Sequence, residues 1–160
     1  MFPKTTVATF TAALLLFVLP AGPAQAQALK AKDSGKEAGI DFYVNRGQAR
    51  YADGKLRLAI ADFDRALVSD PRNVAVLNSR GLAWLALKDY GMAIRDFNQA
   101  IKLSPELASA YANRGLARSR QGHNTKAAQD FTKSIELDKS MKAYVEEMKN
   151  KGAIPVPSHR

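Results

Sequence analysis

Five residue types recur along this chain at a single interval. Gly47, Gly81 and Gly115 stand 34 residues apart, and so do Arg46, Arg80 and Arg114. The same interval links Ala59, Ala93 and Ala127, then Asp62, Asp96 and Asp130, then Phe63, Phe97 and Phe131. Self-similarity at a fixed period of roughly 20–50 residues marks a stack of supersecondary units, each too small to bury its apolar face without neighbours. The interval divides the chain into copies at 40–73, 74–107 and 108–141, joined without insertions. Each copy reads as two helices: 40–52 and 56–69, then 74–87 and 90–103, then 108–121 and 124–137. Asp53-Gly54 and Gly122 mark turns inside the copies, and Pro71 and Pro105 follow the second helices, where proline ends one helix and precedes the next. In the third copy Lys139 replaces that proline. No strand is predicted, so the fold class is all-α.

The repeated glycines lie inside good helix-forming sequence, where each costs about 1 kcal/mol relative to alanine. A cost incurred three times at one place points to packing. Gly47 is expected to face Ala59, Gly81 to face Ala93 and Gly115 to face Ala127, with Phe63, Phe97 and Phe131 filling the gap to the next helix.

These columns, with Tyr43, Leu77 and Tyr111 near each start, Ala66 and Ala100 further on, and Pro71 and Pro105 at the ends, resemble tetratricopeptide repeats. The resemblance covers residues 40–141 and implies a right-handed superhelical stack of antiparallel helix pairs. Departures from the family pattern carry information as well. Arg50 and Arg118 occupy a place where the family usually has an aromatic, supplied only by Trp84, and Ser134 stands where Ala66 and Ala100 stand earlier. Arg46, Arg80 and Arg114 replace a common leucine, and each is followed 16 residues later by Asp62, Asp96 or Asp130. In an antiparallel helix pair both residues fall near mid-helix on facing sides, so three internal Arg–carboxylate bonds are predicted. The competing reading is a ligand clamp built from the three arginines.

The flanks have other roles. Residues 1–26 hold 16 apolar residues and a single charge, Lys4. A 13-residue uncharged run from Val7 to Leu19 gives way to Pro20, Gly22 and Pro23, and Ala24-Gln25-Ala26 offers small residues where a signal peptidase cuts. A membrane span needs about 20 apolar residues, so the expectation is a cleaved signal peptide and an exported protein, periplasmic if bacterial and otherwise secreted. Residues 27–39 read as a polar linker. A capping helix is expected over 142–152, with Ala143, Val145 and Met148 as its apolar stripe, since stacked repeats need a polar-faced end. Residues 153–160 form the expected tail. Apolar residues number 16, 19 and 12 in the three copies, as a middle unit covered on both sides requires.

Several chemistries are absent. With no cysteine in 160 residues there is no disulfide framework, iron–sulfur site or thiol nucleophile. His123 falls in a turn and His159 in the tail, neither beside a carboxylate cluster, so no metal site and no cofactor are expected. No nucleophile elbow and no phosphate-binding glycine loop is present. The reading is a non-enzymatic module that binds a protein or peptide.

In the resembled family the first helix of each unit lines a concave groove. Carried over by position, that groove presents Asp41, Val44, Asn45, Gln48 and Tyr51, then Asn78, Ser79, Leu82 and Leu85, then Ser109, Ala112, Asn113 and Leu116. Amides there can bond a peptide backbone and the leucines can take apolar side chains, or the leucines can be core. Members that grip acidic chaperone C-termini use Lys, Asn and Arg at set places. Here Val44, Gln48, Ser79, Ser109 and Asn113 hold them, so that clamp is missing. The net charge of +9 supports an alternative, attachment to polyanions or an anionic membrane surface. Arg114, Arg118, Arg120, Lys126 and Lys133 make the third copy its most basic region. No aromatic run of the kind that stacks on bases accompanies them, so nucleic acid is not an expected partner. Self-association through exposed repeat faces is also compatible with so short a stack.

Overall fold

A computed structural model of the chain describes residues 39–150. The expected leader, most of the linker and the tail lie outside the described residues. Seven helices follow one another: α1 (Ile40–Ala52), α2 (Leu56–Ser69), α3 (Val74–Ala86), α4 (Tyr90–Leu103), α5 (Ala108–Arg120), α6 (Asn124–Leu137) and α7 (Met141–Asn150). The first six form three antiparallel pairs, α1–α2, α3–α4 and α5–α6, and each pair packs on the next through its second helix. No strand occurs among the described residues.

Local chemistry explains where the helices start and stop. Asn73 caps α3 by accepting a hydrogen bond from the Val76 amide at 3.1 Å, and Asp89 caps α4 by accepting one from the Met92 amide at 3.1 Å. Each first helix ends in a left-handed residue that reverses the chain: Gly54 at φ 73°, Lys88 at φ 64° and Gly122 at φ 84°. Glycine adopts that conformation freely, whereas a lysine does so against its Cβ.

The mid-helix glycines are explained by the phenylalanines rather than by the alanines. A Cβ on Gly47 would lie 2.7 Å from the Phe63 ring, on Gly81 2.6 Å from Phe97, and on Gly115 2.8 Å from Phe131. Within each pair the ring therefore seats directly on its own glycine, which corrects the expectation that Gly47, Gly81 and Gly115 face Ala59, Ala93 and Ala127. The alanines are fully buried a turn away. Phe63 also shares a cluster with Val76 and Leu77, and Phe97 one with Ala117, so each ring links its pair to the following one.

Polar bonds run parallel to this apolar seam. Arg46 donates to Asp62 through Nε (3.0 Å) and Nη2 (2.6 Å), Arg80 to Asp96 through Nε (2.8 Å) and Nη2 (2.6 Å), and Arg114 to Asp130 through Nε (3.0 Å) and Nη2 (2.7 Å). All three aspartates are buried. Two features are not legible from the Arg and Asp columns alone. Arg50 and Arg118 add second donors to Asp62 and Asp130, each at 2.7 Å, while Trp84 holds the equivalent place in the middle pair and leaves Asp96 with Arg80. Arg80 Nη1 also reaches back to Asp64 on α2 (2.6 Å), and Arg114 Nη1 to Asn98 on α4 (2.8 Å), so these arginines fasten one pair to the one before it. The bonds to aspartate and the pull of its charge hold the Arg46 and Arg80 guanidiniums above their usual arginine value against the cost of burial.

The last helix starts a residue before the expected 142, and its packed face holds Val145 and Met148 of the expected stripe but not Ala143. Val145 is buried against Leu116, Ala127 and Phe131, with Tyr144 and Met148 beside it, whereas Ala143 is exposed. Val145 lies 34 residues after Tyr111, so α7 docks as a first helix would, on α5 and α6.

Candidate binding groove

The first helices α1, α3 and α5, with α7 after them, present the side chains assigned to the groove. Asn45, Gln48 and Tyr51 of α1 are exposed, and Val44 is half-buried, as are Asn78, Ser79, Leu82 and Leu85 of α3. The third unit differs. Ala112, Asn113 and Leu116 are buried, at 1%, 6% and 9% exposure. For Asn113 and Leu116 the docked α7 contributes to this burial. The Tyr144 hydroxyl donates to Asn113 Oδ1 (3.4 Å), and Asn113 Nδ2 donates to Asn78 Oδ1 (3.3 Å), a chain of bonds across α7, α5 and α3. Ala112, Asn113 and Leu116 are thus wall and floor rather than an open binding surface; the fully exposed polar groups among the assigned residues belong to α1, and Asn78, Ser79 and Ser109 are half-buried.

Burial pushes the Tyr144 phenol above the usual tyrosine value, and the Tyr51 phenol and Glu147 carboxylate act in the same direction. Leu82 packs beside Ala93, Phe97 and Ala117, a core role. Leu85 divides its surface between that cluster and the one under α7.

At the turn end of the groove Leu85 and Leu116 have a further role. With Ala86, Lys88, Tyr90 and Arg120 they line a cavity of about 180 Å³ between the C-terminal ends of α3 and α5. The repeat columns do not point to this cavity, because Lys88, Tyr90 and Arg120 are not repeated. The one sequence signal for it is Lys88, standing where Gly54 and Gly122 stand in the other copies.

The basic region assigned to the third copy is reduced by internal pairing. Arg114 and Arg118 are bound to Asp130, and Lys133 lies 3.5 Å from Glu136. Among the described residues no group of three or more His, Asp or Glu is placed to hold a metal ion. None of the described helices is long and apolar enough to cross a membrane.

Family models described as tetratricopeptide repeat match residues 44–108 and 108–141. The second tetratricopeptide domain of human RPAP3, solved in complex with the HSP70 peptide SGPTIEEVD, is 30% identical, with a TM-score of 0.63 over 70% of this chain and 97% of that one. The chain belongs to the tetratricopeptide-repeat family. A second solved member, the second such domain of Spaghetti bound to the HSP90 peptide SRMEEVD, is 29% identical, with a TM-score of 0.61 over 70% of this chain and 99% of that one. The crystal structure of MamA shares the tetratricopeptide fold at 22% identity, with a TM-score of 0.65 over 75% of this chain and 70% of that one. No curated protein sequence matches the chain.

Proposed function

We propose that this tetratricopeptide protein is an exported, non-enzymatic interaction module of three repeats and a capping helix, which holds a peptide or protein segment against α1 and α3. The observation that carries the reading is the row of amide and phenol groups along these helices. Asn45, Gln48 and Tyr51 are open to solvent, beside a half-buried Asn78 held in place by Asn113. Such groups suit the backbone of an extended segment, which exposes a donor and an acceptor at nearly every residue. The peptide-bound relatives support the class of ligand. Their acidic peptides are a poor guide to its identity, because Val44, Gln48, Ser79, Ser109 and Asn113 supply no cation at the places where chaperone-binding members have theirs. Export rests on the composition of residues 1–26, with cleavage near Ala26.

Photo-crosslinking tests the groove. A photoreactive residue at position 48 should capture a partner in the cell envelope, one at 65 on the exposed side of α2 should not, and capture should persist at about 0.5 M salt. Equal capture from both positions, or loss of capture with salt, overturns the groove. Amino-terminal sequencing of the envelope protein tests export, with a start near Gln27 expected.

A further inference from the structure

The outward face of α2 has a composition that the other second helices lack. At 3.6 residues per turn Arg57, Val68, Ala61, Arg65 and Leu58 fall within an arc of about 100°, and all are exposed. Val68 is 83% exposed and Leu58 49%, the highest values among the large apolar side chains described. Helix α2 packs on α1 and α3 through its other side, where Ala59, Phe63 and Ala66 are buried. In the later copies the places of Leu58, Ala61 and Val68 hold Met92, Arg95 and Lys102, then Lys126, Gln129 and Glu136. The apolar ridge therefore belongs to the first pair alone, and the stacking of repeats does not require it. Neither Arg57 nor Arg65 makes an ion pair among the described residues, and the Arg65 guanidinium lies 5.6 Å from the centre of the Tyr43 ring. The one exposed acid of α2, Asp64, stands just beyond the edge of the arc and is bonded to Arg80 at 2.6 Å. Arg95 and Lys102, also exposed and without ion pairs among the described residues, continue the positive surface on α4.

We propose that this face of α2 seats on an anionic membrane surface, with Leu58 and Val68 entering the interface and Arg57 and Arg65 bonding the lipid phosphates. Helices that lie in a membrane interface combine these features. Their apolar side chains reach the boundary of headgroups and acyl chains, and the long stems of their cations keep the charge at the phosphates. A face whose only neighbouring acid is already bonded is complementary to anionic lipid. A protein partner suits it less well, because a single helix ridge falls far short of the roughly 20–30 residues on each side of a stable protein interface. A second copy suits it least. A two-fold contact brings the same patch of both chains together, which would set Arg57 and Arg65 against their own counterparts. In the third pair, by contrast, Arg114 and Arg118 are bound to Asp130 and are not left for an outside partner. No residue of this face belongs to the groove, so membrane seating goes beyond the peptide-binding reading and stands or falls apart from it.

The chain has no cysteine, so one environment-sensitive dye can be attached to the full chain at Ala61→Cys, within the face, or at Gln48→Cys, in the groove. The probes are vesicles of phosphatidylcholine with or without about one third phosphatidylglycerol. With the anionic vesicles the dye at 61 should brighten and shift to the blue, and a spin-labelled lipid should quench it. Neutral vesicles should move it little, and the dye at 48 should not respond to either. Arg57→Gln combined with Arg65→Gln should weaken the response about twentyfold, at roughly fivefold per cation. Leu58→Ser combined with Val68→Ser should weaken it several-fold at unchanged charge. Both double variants should melt near the parent temperature, because all four side chains are exposed. A silent dye at 61 on a chain that still floats with the vesicles would assign attachment to another segment and overturn the proposal. Unchanged binding in either double variant does the same. Polyphosphate that moves the dye at 61 as strongly as vesicles do, with no loss in the serine variant, would assign the face to soluble polyanions instead. Brightening with protein concentration in the absence of lipid would assign it to a second copy, and crosslinking of a soluble protein at position 65 would assign it to a protein partner. Capture at position 48 reports on the groove alone and is expected whether or not the chain seats on lipid.

Discussion

The contact between Gly81 and Phe97 illustrates how one missing methyl group can set the distance between two helices. Alanine is the better helix former by about 1 kcal/mol, so Gly→Ala in an open helix stabilises. At Gly81 the new methyl would lie 2.6 Å from the Phe97 ring, which is itself fully buried and has nowhere to retreat. Gly81→Ala is therefore expected to destabilise by about 1–2 kcal/mol net of the helix gain, measured by urea unfolding. The sequence makes the glycine and phenylalanine columns visible but not their partnership. Ala59 and Phe63 are one turn apart on the same face of α2, and which of them meets Gly47 depends on the axial offset of the helices, a property of the turn geometry and of the backward lean of helical side chains. The same limit hides the unequal ion pairs. Arg80→Ala leaves Asp96 buried without a charged partner and should cost about 3 kcal/mol. Arg46→Ala leaves Asp62 still bonded to Arg50 and should cost about 1 kcal/mol. Equal losses in the two variants would show that Arg50 does not compensate.

Among the elements, α7 is where sequence and structure part most. Its existence follows from the repeat logic, and two of its three expected stripe residues, Val145 and Met148, do pack; Ala143 is exposed, and Tyr144 takes its place on the packed side and carries the bond to Asn113. A single helix without a second copy of its own gives the helical period only a few positions to register, so the edge of the stripe, Ala143 against Tyr144, goes undetected. The structure makes the docking of α7 sensitive to alkali. The folded chain holds the Tyr144 proton more tightly than the ordinary tyrosine value of 10.0, so the unfolded chain ionises first. This contribution is fully present below that value and is lost as pH rises from it through the folded-state value. Thermal melts above about pH 10 should fall faster for the native chain than for Tyr144→Phe, which lacks the ionisable hydroxyl. Parallel curves would remove Tyr144 from the alkaline response.

Across the whole described stack, stability should follow position. In a linear array each unit is held by its own interior and its immediate neighbours. The middle pair has a neighbour on both sides, and Arg80 and Arg114 fasten it to α2 and α5 through Asp64 and Asn98. Hydrogen exchange is expected to be slowest in α3 and α4 and fastest in α1 and α7, and Asp64→Ala should speed exchange in α2 with less effect in α6. Uniform protection along all seven helices would contradict this. Trp84 has a use that its place in the packing confers. It is the chain's sole tryptophan, and it packs on the cluster between the first two pairs and on the one between the second and third. Ultraviolet emission excited at the indole therefore comes from the junction alone. The protein carries an intrinsic optical reporter, silent to the fraying of either end and responsive when the centre opens.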